Sequence, residues 1–355
     1  EKLFGLHYGA FIIEAKGAIE GAELIGETVS DYTITAGDVK LDIADLEKKY
    51  DAVLEPIFKN SLPEMPRPVS VAYDKGCDLL TNKAPGTIAK PKVLIPVFPG
   101  TNCEYDMAAA FNRYGGEAEI FVIRNLSAKN MEDSVNEFAK RIEDSQMIAV
   151  PGGFSGGDEP EGSAKFINAF FRNPKIKDAV ENMLYARDGL MIGICNGFQA
   201  LIKLGLVPFG KIVPLSSESP TLTYNTIGRH QSQLALTKIC TNKSPWLMHC
   251  KVGEVYNIPI SHGEGRFVAS DEVIAKLIEN GQIATQYVDL NGEPTMDLAY
   301  NPNSSMCAIE GIISPDGRVL GKMGHTERIS SDTCVNVDGN KEQLLFKGGV
   351  DYFRI

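Results

Sequence analysis

The run Gly189-Leu-Met-Ile-Gly-Ile-Cys195-Asn-Gly-Phe-Gln-Ala-Leu-Ile-Lys-Leu-Gly205 changes its pattern in the middle. Before Cys195 it is a short apolar stretch. After it, Phe198, Leu201 and Ile202 recur at the spacing of one helical face. The reading is strand, sharp turn, helix. Cys195 stands at the turn between Gly193 and Gly197, small neighbours that permit a strained backbone and close approach by a ligand. A helix N-terminus offers unpaired N–H groups and the positive end of the helix dipole, which favour a thiolate. Cys195 is then a nucleophile, given a base nearby. The plainer reading is a buried cysteine, since free Cys is among the most buried residue types.

Two further stretches supply what a nucleophile needs. Pro151-Gly-Gly-Phe-Ser-Gly-Gly-Asp158 follows the apolar run Met147-Ile-Ala-Val150, so a glycine-rich loop sits at a strand end with backbone N–H groups able to hold an oxyanion. Arg318-Val-Leu-Gly-Lys-Met323 reads as a strand delivering Gly324-His325-Thr326-Glu327. If that segment is extended, residues two apart face the same way, and His325 and Glu327 point into one site.

The chain has 355 residues, enough for about two domains, with 43% hydrophobic and 23% charged residues, an ordinary globular balance. With 46 acidic and 35 basic residues the net charge is -11, the wrong sign for a nucleic-acid binder. No apolar run approaches the roughly 18 residues that span a bilayer, so no membrane partner is expected. Seven cysteines without a C-x-x-C pair argue for free thiols in a reducing cytoplasm, and against a disulfide framework or structural zinc.

Along the chain, Gly9–Glu14 and Ala22–Val29 read as strands, and Ile43, Leu46, Tyr50, Val53, Leu54 and Ile57 as a helical stripe ended by Pro56. That is too little for an independent core, so residues 1–58 are expected to be the tail of a larger upstream domain. Residues 59–91 hold five prolines and no sustained periodicity, the pattern of a linker over a surface. From 92 to 355 strand and helix alternate. Lys92–Phe98, Glu117–Ile123 and Gln146–Val150 read as strands, and Glu104–Tyr114, with Asn102 as its cap, Met131–Ile142, Ala164–Phe171 and Ile176–Leu184 as helices. The expected fold class is α/β, a doubly wound, flavodoxin-like, mostly parallel sheet with helices on both faces, preceded by a small α+β fragment. Ligands of such sheets bind at the carboxyl ends of strands. Residues 211–320 are richer in β pattern and turns, among them Asn291-Gly292 and Asp316-Gly317.

Gly193-Ile-Cys195-Asn-Gly-Phe-Gln199, with a glycine-rich loop before it and a His-x-Glu pair after it, resembles the class I (triad) glutamine amidotransferase domains. More narrowly, Gly152–Asp158, Ser261-His-Gly-Glu-Gly-Arg-Phe267, Asn301-Pro-Asn-Ser304 and Asp316–Leu320 are similar to the glutaminase part of the phosphoribosylformylglycinamidine synthases, enzymes of purine biosynthesis. Residues 1–58 look similar to the end of the synthetase portion in single-chain forms. The resemblance implies Cys195 as nucleophile on the amide of glutamine, His325 as general base and then acid, and Glu327 as its orienter. It further implies backbone N–H groups of Gly153 and Asn196 as the oxyanion hole, and Gly152, Phe154 and Gln199 at the substrate. No cofactor or metal is implied in this chain. Ammonia would pass to a synthetase domain or subunit, where Mg-ATP activates the amide oxygen of formylglycinamide ribonucleotide. Three positions depart from the usual pattern: Thr326 stands where proline is usual, Gly156 where an aromatic residue is common, and Ser304 where a glycine is.

Other readings stay open at this stage. His262-Gly-Glu264 is a two-ligand metal pair or, without a third ligand at a convincing spacing, a turn at the site edge. His249-Cys250 reads as structural. Arg229 and His230 face a partner domain or lie in an exposed loop. The whole chain is alternatively the glutaminase domain of another class I amidotransferase, a cysteine hydrolase or peptidase on a similar sheet, or a regulatory module with a dead site.

Overall fold

The computed structural model describes residues 5–81, 88–155 and 164–354. Gly156, Gly157 and Asp158 of the glycine-rich loop lie outside them, as does Pro85. The described chain forms two compact units, residues 1–60 and 61–355.

In the first unit β1 (Thr33–Ala36) and β2 (Val39–Asp42) form an antiparallel hairpin, followed by α1 (Ile43–Leu54). Asp42 caps α1 by accepting from Asp45 N at 3.1 Å. The runs 9–14 and 22–29 are not strands. Their residues are exposed and pair with no strand among the described residues, and a strand persists only where a neighbour takes its N–H and C=O groups.

The second unit opens with the proline-rich stretch packed against its own sheet. Val71 is buried and donates its N–H to Gln286 Oε1, and Tyr73 exchanges backbone bonds with Cys240 and Asn242. The elements that follow are α2 (Asp78–Thr81), β3 (Lys92–Val97), α3 (Glu104–Arg113), β4 (Glu117–Val122), α4 (Ala128–Asp144), β5 (Met147–Val150), α5 (Lys165–Phe171), α6 (Pro174–Glu181), β6 (Leu190–Ile194), α7 (Asn196–Leu204) and α8 (Leu206–Phe209). After them come β7 (Thr221–Tyr224), β8 (Gln231–Ile239), β9 (Val255–His262), β10 (Glu264–Val268), α9 (Asp271–Glu279), β11 (Ile283–Tyr287), β12 (Ile309–Ile313), β13 (Val319–Lys322) and α10 (Leu345–Asp351). The expected cap at Asn102 is not made. Cys103 occupies the N-cap position of α3 and makes no side-chain cap bond, while the Asn102 side-chain oxygen Oδ1 accepts from the Cys103 thiol at 2.9 Å.

The main sheet has nine strands in the order β4-β3-β5-β6-β13-β12-β11-β8-β9. The β4-β3-β5-β6-β13 half is parallel, and β12, β11, β8 and β9 continue it antiparallel. β5 and β6 are buried along their whole length, as a strand covered on both faces must be. Helices α4 and α5 close with edge-on rings of Phe138, Phe170 and Phe171, and α3 meets α10 through Phe111 and Phe346 at 4.9 Å. What matters for function is β13. It inserts beside β6 in parallel register, Lys322 opposite Ile194, so the residues just beyond both strands emerge at the same sheet edge.

Candidate active site

Cys195 sits one residue past β6 at φ 53°, ψ −108°, a left-handed backbone rare for a side-chain-bearing residue and the mark of a strained turn. Its N–H donates to Lys322 O at 2.8 Å, and its carbonyl opens α7 by accepting from Gln199 N. The flanking glycines are required by close approach. A Cβ on Gly193 would lie 2.7 Å from the Gly197 carbonyl carbon, and one on Gly197 would overlap the Val150 carbonyl. The strand-turn-helix reading therefore holds, with Gly205 closing α7 at φ 85°.

His325 and Glu327 are both buried, and His325 Nδ1 meets Glu327 Oε1 at 2.6 Å. The segment that carries them is not extended, as the spacing suggested. Thr326–Arg328 form a 3-10 turn with His325 at its N-cap. The pair meets by curling within that turn, while His325 N is pinned to Pro259 O of β9 at 2.8 Å. Gly152 holds the group together: a Cβ there would lie 2.7 Å from His325 Cε1, 3.2 Å from Cys103 Sγ and 3.4 Å from Cys195 Cβ. Burial opposes a charge on His325, but Glu327, Cys195 and Cys103 outweigh it and hold the imidazole well above its ordinary value. His325 Nε2 and Glu327 Oε2 are buried and make no hydrogen bond among the described residues.

The other expected site residues gather at the same edge. Gly153 has φ 133° and lies against the 100–102 loop, its Cβ position 2.5 Å from Gly100 O. The Asn196 side chain accepts from Ser155 Oγ at 2.6 Å and donates to Gln199 Oε1 at 2.9 Å. Gln199 in turn donates to the Glu264 carbonyl, so α7 is clasped to β10. Phe154 is partly exposed, and its ring lies 6.2 Å from that of His230, whose Nε2 is 3.0 Å from Ser261 Oγ.

Cys103 and Arg328 were not anticipated. Cys103 Sγ lies 3.9 Å from His325 Nδ1 and accepts from Arg328 Nη2 at 2.9 Å. A signal was available, since Cys103 closes the turn after β3 at the carboxyl edge where such sheets bind ligands. Donor atoms of Cys103, His325 and Glu327 lie within 4.8 Å of one another, a possible three-ligand set. The Nδ1 and Oε1 atoms are already engaged with each other, and the Arg328 guanidinium at the sulfur would repel a cation. His262 ends β9 with both ring nitrogens buried and unpartnered among the described residues. Burial first, and then the charges of His325 and His230, pull it down to about 3, so it is neutral at ordinary pH. His249 pairs with Asp351 at 2.8 Å, a structural contact.

Fold and site together are those of a glutamine amidotransferase domain. Residues 90–353 match the CobB/CobQ-like glutamine amidotransferase domain family. The phosphoribosylformylglycinamidine synthase subunit PurQ of Chlorobium chlorochromatii is 34% identical over 262 residues, covering 71% of this chain and 93% of that protein. The subunit of the same name in Aquifex aeolicus is 33% identical over 249 residues, covering 70% and 95%. The solved structure of PurLQS from Thermotoga maritima aligns with TM-score 0.52 and 26% identity over 74% of this chain and 99% of that one. The chain belongs to this amidotransferase family, in the branch of the phosphoribosylformylglycinamidine synthase subunits. That membership sets aside the peptidase reading. Seven free thiols are present, and no described helix is long and apolar enough to cross a membrane.

Proposed function

We propose that this chain is the glutaminase half of phosphoribosylformylglycinamidine synthase, with Cys195, His325 and Glu327 as its triad. The observation that carries the reading is the convergence of Cys195, His325 and Glu327 around Gly152 at the β6–β13 edge. His325 takes the thiol proton of Cys195 as the sulfur adds to the side-chain carbonyl carbon of glutamine, and the oxyanion that forms is held by the backbone N–H groups of Gly153 and Asn196. His325, held by Glu327, gives a proton to the leaving nitrogen. The C–N bond breaks, ammonia departs and a γ-glutamyl thioester remains. His325 then takes a proton from water, whose oxygen attacks the thioester; the C–S bond breaks, glutamate is released, and His325 returns the proton to the Cys195 sulfur. Phe154, Gly152 and Gln199 border the substrate, and Gln199 also holds the Asn196 side chain.

The ammonia is used by a synthetase domain or subunit, where Mg-ATP activates formylglycinamide ribonucleotide. Residues 1–58 are the end of that synthetase portion and 59–91 the connection to the glutaminase domain at 92–355. The exposure of Leu6, Tyr8, Phe11 and Ile12 supports this, since apolar side chains in such number fit a surface that packs on another domain. The reaction takes place in the cytoplasm. The test is glutamate release from glutamine, set against a peptidase panel, by the parent and by Cys195→Ala. Loss of at least a thousandfold in the variant is expected, with its thermal midpoint retained. Glutamate release at the parent rate would remove Cys195 from the mechanism.

A further inference from the structure

The buried polar groups behind the 324–326 turn form one network. Lys322, on β13, and Glu310, on β12, are 1% and 0% exposed, with Lys322 Nζ 3.2 Å from Glu310 Oε1. Taking such a pair out of water is costly unless every donor and acceptor is satisfied. Here the ammonium has three donors and three acceptors: Glu310, Gly324 O at 3.0 Å and Thr326 Oγ1 at 3.1 Å. Glu310 Oε1 also accepts from Gly324 N at 2.6 Å, and Oε2 accepts from Thr285 Oγ1. The Thr326 hydroxyl passes its own proton on to Gln343 Oε1 at 2.9 Å.

Four of these bonds have an end on residues 324 and 326, the two neighbours of His325. A Cβ on Gly324 would lie 2.9 Å from Glu310 Oε1 and 3.0 Å from Lys322 Nζ, so the backbone rests directly on the ion pair. Thr326 N also donates to Gly324 O at 3.2 Å. A proline at 326 would fix φ covalently but could supply neither that N–H nor the hydroxyl.

We propose that the Glu310–Lys322–Thr326 network is the positioning device of His325, with the Thr326 hydroxyl as its specific contact to the catalytic turn. The inference rests on the functional reading above only in giving His325 its task. The groups that face the imidazole are Glu327, Cys103, Cys195 and His262, with Arg328 behind Cys103. Thr326 acts through none of them, but through the backbone on which the imidazole is mounted.

The test uses the full chain and three variants: Thr326→Val, which keeps the shape and removes the hydroxyl, Thr326→Ser, which keeps the hydroxyl, and Glu310→Gln combined with Lys322→Met. Glutaminase kinetics and the His325 imidazole titration, followed by NMR and assigned against His325→Asn, are the readouts. Thr326→Val is expected to lower kcat about tenfold with KM within about twofold, and to move the His325 titration. Thr326→Ser restores both. The double variant removes the buried charges together, so that it folds, and repeats the kcat loss. Parental kcat with an unmoved His325 titration in Thr326→Val, or parental kcat in the folded double variant, overturns the proposal. If the parent itself releases no glutamate, the functional reading fails instead, and the NMR titration still decides whether Thr326 places His325.

Discussion

His325 Nδ1 and Glu327 Oε1 meet at 2.6 Å within a single 3-10 turn, with both side chains buried. The pair is therefore local in sequence, although the turn that carries it is tied to Pro259 of β9 and rests on Glu310 of β12. Its partner Cys195 is brought to it only because β13 lies beside β6. A base held in this way depends on its carboxylate for orientation and for stabilising its positive charge, while the nucleophile depends on the base itself.

His325→Asn is accordingly expected to be nearly as damaging as Cys195→Ala. Glu327→Gln is expected to be about ten- to a hundredfold milder, because an orienting residue contributes less than the base it holds. Initial rates of glutamate release measure both. A Glu327→Gln enzyme at the parent rate would take Glu327 out of the triad.

The acid limb of stability should carry the signature of His262. In an unfolded chain it takes up a proton near pH 6.5, whereas in the fold it stays neutral down to about 3. The unfolded state therefore binds more protons between those values, and this group's contribution is whole above pH 6.5 and lost as the pH falls towards 3. His325, raised in the fold, acts with the opposite sign: its contribution is whole below pH 6.5 and is lost as the pH rises through its elevated value. Replacing His262 by Gln should leave the chain losing about 3 kcal/mol less between pH 7 and pH 4, read from denaturant unfolding at the two pH values. An unchanged acid limb would mean that His262 is protonated in the fold.

Gly197→Ala should destabilise the chain by about 3 kcal/mol or more, because its methyl group meets the Val150 backbone, which cannot yield as a flexible side chain can. Gly292→Ala is the control. It carries the strain of a positive φ, which Gly197 does not, but meets nothing closer than 3.6 Å, so it should cost about 1 kcal/mol. Equal thermal midpoints for the two variants would show that the elbow has room to spare.

Supplying the synthetase portion with its nucleotide should raise glutaminase activity at least tenfold, a change of about 1.4 kcal/mol in the barrier. Under the proposed function, Gly153 is where such coupling is expected to act, since its φ of 133° is a conformation open to glycine that a docking partner could favour. An isolated chain already at the full rate, indifferent to the synthetase, would show that the site is complete by itself.

Local pattern and steric punctuation were legible in the chain itself. The apolar run into Cys195, the glycines on either side of it and the stripe through Phe198, Leu201 and Ile202 determine a strand, a turn and a helix, because each depends on neighbours within a few residues. Gly152 and Gly153 were legible as a loop at a strand end for the same reason. The apolar runs at 9–14 and 22–29 were misread because β structure depends on a partner edge that no local pattern reveals. Asn102 was misread as a cap because the Cys103 thiol competes for its oxygen. The tertiary structure alone decided that β13 sits beside β6, that Cys103 and Arg328 stand against His325, and that Lys322 is buried on Glu310. A lysine in a strand reads as a solvent-facing residue, and only the pairing of β12 with β13 and the fold around the turn supply the acceptors that make its burial tolerable.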